Sequence, residues 1–143
     1  MKIAICASLD FINEIKDVAD QLVKLGHAVT LPQTAEKIYR GEATHEQIMK
    51  EKASGEIAER GIRQDSLKYY FGKIQAADAV LVLNLKKKDV EGYVGGAVFL
   101  EMGFAHVLGK PIFLFNAIPQ MPYTDEIRMM QPVVLAGDLG RIR

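Results

Sequence analysis

One acidic residue stands out in the sequence because the residues around it are almost all apolar. Glu101 lies within residues 97–108, where His106 is the only other ionisable side chain. Moving a carboxylate into a low-dielectric interior is costly unless the group is paired, hydrogen-bonded or protonated. Glu101 is therefore the first candidate for a functional group. The structural alternatives are a side chain that points to solvent and one that is held by backbone donors near a helix start.

Three polar residues each follow directly on an apolar run that predicts a β-strand, namely Ser8, Asn84 and Asn116. Ligands of doubly wound α/β sheets bind beyond the carboxyl ends of the strands, so all three are candidate substrate-binding residues. Ser8 can bind an anion such as phosphate through its hydroxyl and the neighbouring backbone N–H groups. Capping of the following helix is the structural alternative for Ser8.

Small and aromatic residues add further candidates for substrate binding. Gly95 and Gly96 precede the helix that carries Glu101 and allow a ligand to approach the backbone closely. Tyr70 belongs to an aromatic cluster that can stack on a base, and its helical spacing also fits packing in the core. No arrangement of histidine, cysteine or acidic residues matches a metal-binding motif, and we expect neither a metal nor another cofactor.

The elements that must position these residues follow from the apolar pattern. Alternating apolar runs and amphipathic segments predict a doubly wound, flavodoxin-like α/β fold with a five-stranded parallel sheet and helices on both faces. The strands are predicted at residues 2–7, 28–31, 79–83, 111–115 and 132–135, and the helices at residues 10–25, 67–77 and 96–108. We expect the strand at 79–83 in the centre, the strand at 132–135 at an edge, and the apolar helix at 96–108 deeply buried. The whole chain, residues 1–143, fits a single domain.

Residues 33–73 interrupt this pattern, because they contain many charged residues and few apolar ones. A segment of that length on an α/β domain is typical of a lid or a binding loop, and a solvated helical hairpin is the alternative. With so few apolar anchors it is predicted to pack only weakly on its own domain. We therefore expect a mobile or partner-packed connection that covers the site of a neighbouring subunit, followed by a helix.

Composition narrows the classes of partner. The 18 Lys and Arg residues balance the 18 Asp and Glu residues, so there is no excess of positive charge to hold a nucleic-acid polymer or an anionic membrane. No apolar stretch approaches the ~18 residues of a membrane span, and the opening run is too short for a secretory signal peptide. A single cysteine excludes an intrachain disulfide and fits a reducing compartment. We therefore expect a cytoplasmic protein.

Three stretches of the chain resemble the nucleoside 2-deoxyribosyltransferase family. They are IQAADAV at 74–80, LEMGFA at 100–105 and GKPI at 109–112, and the match extends more loosely to ICASL at 5–9 and LGH at 25–27. The resemblance implies a flavodoxin-like fold. It also implies a homodimer or larger homo-oligomer, commonly with sites that a neighbouring subunit completes.

By this resemblance Glu101 matches a carboxylate that attacks the anomeric carbon of a 2′-deoxynucleoside and displaces the base; a second base or water then resolves the glycosyl ester. Relatives that hydrolyse deoxynucleoside 5′-monophosphates bind phosphate near the first strand–helix turn, which corresponds to Ser8. The resemblance thus implies an N-glycosyl-bond enzyme that acts on a small-molecule nucleoside or nucleotide.

Two departures from the family leave other functions open. Family members commonly carry aspartates at the two positions that Gly95 and Tyr70 occupy in this chain. One alternative is a non-catalytic nucleotide-binding or regulatory module of the same fold. The other is a structural oligomer in which Glu101 serves only in hydrogen bonding.

Overall fold

The computed structural model describes residues 1–143 and contains one sheet of five parallel strands. The strands are β1 (Lys2–Cys6), β2 (Ala28–Thr30), β3 (Ala79–Val82), β4 (Ile112–Leu114) and β5 (Val133–Val134). Their order across the sheet is β2-β1-β3-β4-β5, which is the order of the flavodoxin-like doubly wound fold. The prediction of the fold class is therefore confirmed, including the central position of β3 and the edge position of β5.

Seven α-helices connect the strands and cover the sheet. They are α1 (Ile12–Lys24), α2 (Gln33–Tyr39), α3 (His45–Ser54), α4 (Glu56–Gln64), α5 (Ser66–Ala76), α6 (Gly96–Val107) and α7 (Thr124–Met129), with short 3₁₀ helices at Leu9–Phe11 and Leu139–Arg141. No helix combines the length and the apolar character needed to cross a membrane.

The side chains of β1 alternate between two cores, one on each face of the sheet. Ile3 and Ile5 pack in the core that contains α1, whereas Ala4 and Cys6 pack in the core that contains α5 and α6. This alternation follows from the two-residue period of a strand. Its consequence is that Cys6, at the carboxyl end of β1, lies on the same face of the sheet as α6.

Helix α6 is buried on one side only. Val98, Met102 and Ala105 are buried in the core, but Leu100 and Val107 are 47% and 78% exposed. The prediction that the whole helix is deeply buried is therefore wrong. The apolar sequence on its outer side has no other element of the chain to cover it.

Residues 33–73 fold almost entirely into α2, α3, α4 and most of α5. Ala35 and Ile48 have no exposed surface, so the prediction that this segment packs only weakly on its own domain is wrong. The Thr44 hydroxyl caps α3 by accepting a hydrogen bond from the Gln47 N–H at 3.1 Å. Gly55, at φ 85°, allows the chain to pass directly from α3 into α4. These two helices form a helical hairpin, which was the alternative for this segment.

Asn84, at the end of the apolar run that contains β3, is fully buried, and its side chain holds two loops together. Its Nδ2 donates to the carbonyl oxygens of Gly92, Asn116 and Ala117 at 3.3, 3.2 and 3.0 Å. Its Oδ1 accepts the backbone N–H of Asn116 at 2.8 Å. Both polar atoms of this side chain are therefore used within the chain. Asn84 positions the loops after β3 and β4, and the prediction that it binds substrate directly is corrected.

Candidate functional site

Glu101 lines a cavity of about 220 Å³ that opens beyond the carboxyl end of β1. We call it the Glu101 cavity. Its walls come from the turn after β1 and from α2, α4, α5 and α6, and half of them are apolar: Ala7, Leu9, Pro32, Gln33, Thr34, Ile57, Arg60, Gly61, Ser66, Leu67, Tyr70, Ala97, Glu101 and Phe104. The residues of α4 and α5 show that the segment 33–73 covers the site of its own chain.

The carboxyl group of Glu101 is unusually easy to protonate. Burial raises its pKa from 4.5 to about 7, although a hydrogen bond with the Cys6 thiol acts in the opposite direction. Glu101 takes part in none of the ion pairs of the chain. Near pH 7 the group is therefore present both as a carboxylate, which can act as a nucleophile, and as a neutral acid, which can donate a proton.

Two neighbours of Glu101 remain protonated. Burial raises the pKa of the Cys6 thiol, and the nearby charge of Glu101 raises it further. Burial also raises the pKa of the Tyr70 hydroxyl, with additional effects from Cys6 and Glu101. That hydroxyl donates a hydrogen bond to the carbonyl oxygen of Ile5. Tyr70 therefore presents its ring to the Glu101 cavity, while its hydroxyl is occupied.

A second cavity, of about 410 Å³, adjoins the first, and we call it the lysine cavity. The two share four lining residues, Ala7, Leu9, Ile57 and Ala97. The lysine cavity is further lined by Ser8, Lys52, Lys87, Lys88, Tyr93, Gly95, Gly96 and Val98. Lys52 comes from α3, whereas Lys87 and Lys88 come from the loop between β3 and α6.

The lysine cavity carries an excess of positive charge. Lys87 Nζ lies 2.5 Å from Asp10 Oδ2, and Lys52 Nζ lies 3.7 Å from Asp10 Oδ1. Lys88 takes part in none of the chain's ion pairs, so one carboxylate faces three ammonium groups. Burial raises the pKa of Asp10, but its hydrogen bonds and proximity to Lys87 and Lys52 outweigh burial and lower it. Burial and the charge of Lys87 lower the pKa of Lys52.

The backbone of this cavity also favours an anion. Gly95 is the N-cap of α6 and provides no side-chain acceptor for the first turn, so the N–H groups of that turn are free to meet a ligand. Ser8 Oγ accepts the Asp10 N–H at 3.4 Å and the Lys87 ammonium at 3.1 Å. Ser8 therefore caps the first 3₁₀ turn and also lines the lysine cavity.

The structure separates Asn116 from the other candidates. Asn116 lines neither the Glu101 cavity nor the lysine cavity, and instead lies in a third one together with Asp89 and Gln120. Its side-chain amide donates to the backbone carbonyl of Asn84 at 3.0 Å. The prediction that Asn116 contacts the same ligand as Glu101 is therefore corrected, because this residue serves the contact between two loops.

Four cationic residues line the two cavities, namely Lys52, Lys87, Lys88 and Arg60, and none of them is among the site residues predicted from the sequence. Lys87 belongs to a run of three lysines, a pattern that usually forms a solvated surface. Its position just after a predicted strand is the one signal that could have identified it. Lys52 and Arg60 lie in the hairpin, where no motif marks them. Only the docking of that hairpin onto the sheet edge brings them to the cavities.

The fold and these cavities define a doubly wound α/β protein with a two-part candidate site, one part built around a partly buried carboxylate and the other around lysines. No protein-family model, curated protein or solved structure matches this chain. The function is therefore argued from the chemistry of the two cavities.

The raised pKa of Glu101 predicts a stability effect that depends on pH. The folded state binds the proton more tightly than the unfolded chain, so stability is lost as pH rises from 4.5 through about 7. Substitution Glu101→Gln removes this loss. We expect the variant to exceed the parent protein in unfolding free energy by at most about 3 kcal/mol at pH 8.5, and by nothing near pH 4.5.

Urea unfolding at the two pH values measures this difference, with Glu14→Gln on the exposed side of α1 as the matched control. The control removes a solvated carboxylate and should show no gain at high pH. A Glu101→Gln variant that is no more stable than the parent at pH 8.5 would contradict the burial of an ionisable carboxyl group at this position.

Proposed function

We propose that this protein cleaves the N-glycosidic bond of a nucleoside or a nucleoside 5′-monophosphate, with Glu101 as the nucleophile. The observation that carries this proposal is that a half-apolar cavity with one partly buried carboxylate adjoins a cavity rich in lysine. A nucleoside monophosphate has the complementary layout, with an apolar base and sugar at one end and a phosphate dianion at the other. The resemblance to nucleoside 2-deoxyribosyltransferases supports the same assignment.

In the proposed reaction the ionised carboxylate of Glu101 attacks the anomeric carbon. A bond forms between a carboxylate oxygen and that carbon, and the electron pair of the N-glycosidic bond leaves with the base. Water or a second base then displaces the carboxylate from the ester, which gives hydrolysis or transfer. The neighbouring Cys6 thiol lowers the pKa of this carboxyl group and so favours its ionised, nucleophilic form.

The lysine cavity is the proposed site of the 5′-phosphate. Lys52, Lys87 and Lys88 supply positive charge, and the start of α6 supplies backbone N–H donors. Since Ala97 lines both cavities, a phosphate held there lies next to the sugar of a substrate whose anomeric carbon faces Glu101. Binding energy at the phosphate thus orients the bond to be broken.

A non-catalytic nucleotide-binding module of the same fold is the second candidate function. The observation that favours it is that no carboxylate other than Glu101 lines the Glu101 cavity. Glycosidases generally use a second carboxyl group to protonate the leaving group. Such a module would bind deoxynucleotides and release no base.

We propose a cytoplasmic location, since nucleotides are made and consumed in the cytoplasm. The free, buried thiol of Cys6 is consistent with a reducing compartment. Oxidation of this thiol would replace the hydrogen bond to Glu101 with a bulkier polar group.

We further propose a homodimer formed through the outer side of α6. Leu100 and Val107 lie seven residues apart on this helix, which places them on one face, and both are exposed. Leu67 of the neighbouring α5 is 53% exposed and also lines the Glu101 cavity. A second copy packed across this face would cover apolar surface on both chains and narrow the entrance to the cavity.

The enzymatic proposal predicts release of free base from deoxynucleosides or their 5′-monophosphates, measured by chromatography. The rate should rise with pH and level off above about 7, because the ionised form of Glu101 is the nucleophile. Substitution Glu101→Gln should lower kcat/KM by about a thousandfold or more, since loss of a nucleophile removes the covalent route. Glu14→Gln should leave the rate unchanged. Equal rates for Glu101→Gln and the parent protein would disprove the assignment.

The phosphate assignment predicts different effects for two adjacent lysines. Lys87→Ala should raise KM for a 5′-monophosphate about tenfold and leave KM for the unphosphorylated nucleoside unchanged, because a charge-assisted contact is lost. Lys86→Ala is the matched control, since Lys86 lines neither cavity and pairs with Glu91 at 3.5 Å. Steady-state kinetics on both substrates give the comparison. If both variants behave alike, the phosphate does not bind at Lys87.

The assembly proposal predicts a particle of twice 15.9 kDa in light scattering at micromolar concentration. Val107→Lys places a charge in the centre of the proposed contact and should yield a monomer. Val23→Lys tests the specificity of that effect, because Val23 is an exposed valine of α1, which lies on the other face of the sheet. A parent protein that scatters as a monomer would exclude the dimer.

A further inference from the structure

The proposed reaction leaves negative charge on the departing base, and the Glu101 cavity contains no second acid to neutralise it. Glu101 is the only carboxylate among the lining residues, and the Tyr70 hydroxyl donates to the Ile5 carbonyl. One cation lines this cavity, and it is Arg60 of α4. Arg60 is therefore the one charged group of this cavity to which the proposed reaction assigns no role.

Arg60 is held in place by an ion pair inside the hairpin. Its Nη2 donates to Oε1 of Glu51 on α3, and the two side chains are only 18% and 12% exposed. Glu51 does not line the Glu101 cavity and belongs instead to a polar groove on the other side of the hairpin. The carboxylate thus fixes the guanidinium from behind, while Arg60 faces the cavity.

Most of the hydrogen-bonding capacity of Arg60 is unused. Nη1 makes no hydrogen bond within the chain, and two buried atoms of the ion pair, Nε of Arg60 and Oε2 of Glu51, are both without a partner. A guanidinium carries five N–H donors, and leaving them unpaired in a partly dry site is costly. A molecule with acceptor atoms, bound in the Glu101 cavity, would pair with the free N–H groups of Nη1.

Arg60 and Glu101 lie on separate walls of the cavity. The only ion pair of Arg60 is with Glu51, and Arg60 is not among the groups that shift the pKa of Glu101. Arg60 therefore does not form an ion pair with the nucleophile Glu101. Both side chains line the same cavity of about 220 Å³, one from α4 and the other from α6.

We infer that Arg60 binds the base of the substrate and stabilises the negative charge that develops on it as the N-glycosidic bond breaks. This inference rests on the proposed function and identifies the group that acts in place of an acid. The substrate then needs an acceptor beside the glycosidic nitrogen, such as O2 of a pyrimidine or N3 of a purine. The electron pair of the broken bond stays on the base, Arg60 remains protonated, and water supplies the proton after the base departs.

The test compares substrates whose bases leave with different ease. We use 2′-deoxyuridine 5′-monophosphate against its 5-fluoro analogue, and 2′-deoxyguanosine 5′-monophosphate against its 7-methyl derivative, whose base leaves uncharged. Arg60→Gln should reduce kcat/KM for the ordinary member of a pair about a hundredfold, as when one preorganised donor to a developing anion is removed. For the better leaving group the loss should be tenfold or less. Arg63→Gln, an exposed arginine on the same helix, should leave both rates unchanged.

A second variant separates this effect from damage to the hairpin. Removing Arg60 alone leaves Glu51 partly buried without its partner, so Glu51→Gln with Arg60→Gln is measured as well. The double variant should melt close to the parent protein and show the same dependence on the leaving group.

The outcomes distinguish this inference from the function on which it rests. If the folded double variant loses the same factor on both members of a pair, Arg60 does not meet the leaving base, and the inference is overturned. The role of Glu101 stands in that case, provided that the parent protein releases base and Glu101→Gln does not. If the parent protein releases no base from any of the four substrates, the proposed function and the inference both fall.

Discussion

The partial burial of one carboxyl group is the constraint on which the candidate site depends. Glu101 stands in a helix whose inner side is apolar, beside the Cys6 thiol at the end of β1, and burial raises its pKa to about 7. In bulk water the same group would be ionised and strongly hydrated. Here the fold shields the group from much of the solvent without giving it a cationic partner. A carboxylate in that condition is a better nucleophile than a solvated one, which is why the position of α6 matters to the proposed chemistry.

The helical hairpin of α3 and α4 adds positively charged side chains to both cavities. The loop after β3 contributes two lysines to the lysine cavity, and the hairpin adds Lys52 to that cavity and Arg60 to the Glu101 cavity. The pairing of Arg60 with Glu51 joins the two helices, and that of Lys52 with Asp10 ties α3 to the turn after β1. Two charged residues of this segment, Lys52 and Arg60, thus line the two adjoining cavities.

The sequence predicts the sheet well because parallel strands buried on both faces are nearly continuous apolar runs, as at residues 79–83. Glu101 is also found from sequence, since a lone carboxylate in an apolar helix is unusual. Asn84 and Asn116 show the limit of the rule that ligands bind at strand ends. Both stand at the right edge, but their amides bond to each other's loops. Lys52 could not be predicted, because its place depends on how the hairpin docks, and no local pattern encodes that contact.

Covalent trapping tests the central claim, the formation of an ester on Glu101, most directly. A nucleotide with a 2′-fluoro-arabinosyl sugar can form such an ester. The ester then hydrolyses slowly, because fluorine destabilises the positively charged transition state of its hydrolysis. Peptide mass spectrometry after this reaction should find one fluorinated sugar on the peptide that contains Glu101, and none in the Glu101→Gln variant. A sugar attached to another residue, or release of the base with no sugar attached to the protein, would contradict the nucleophilic role of Glu101.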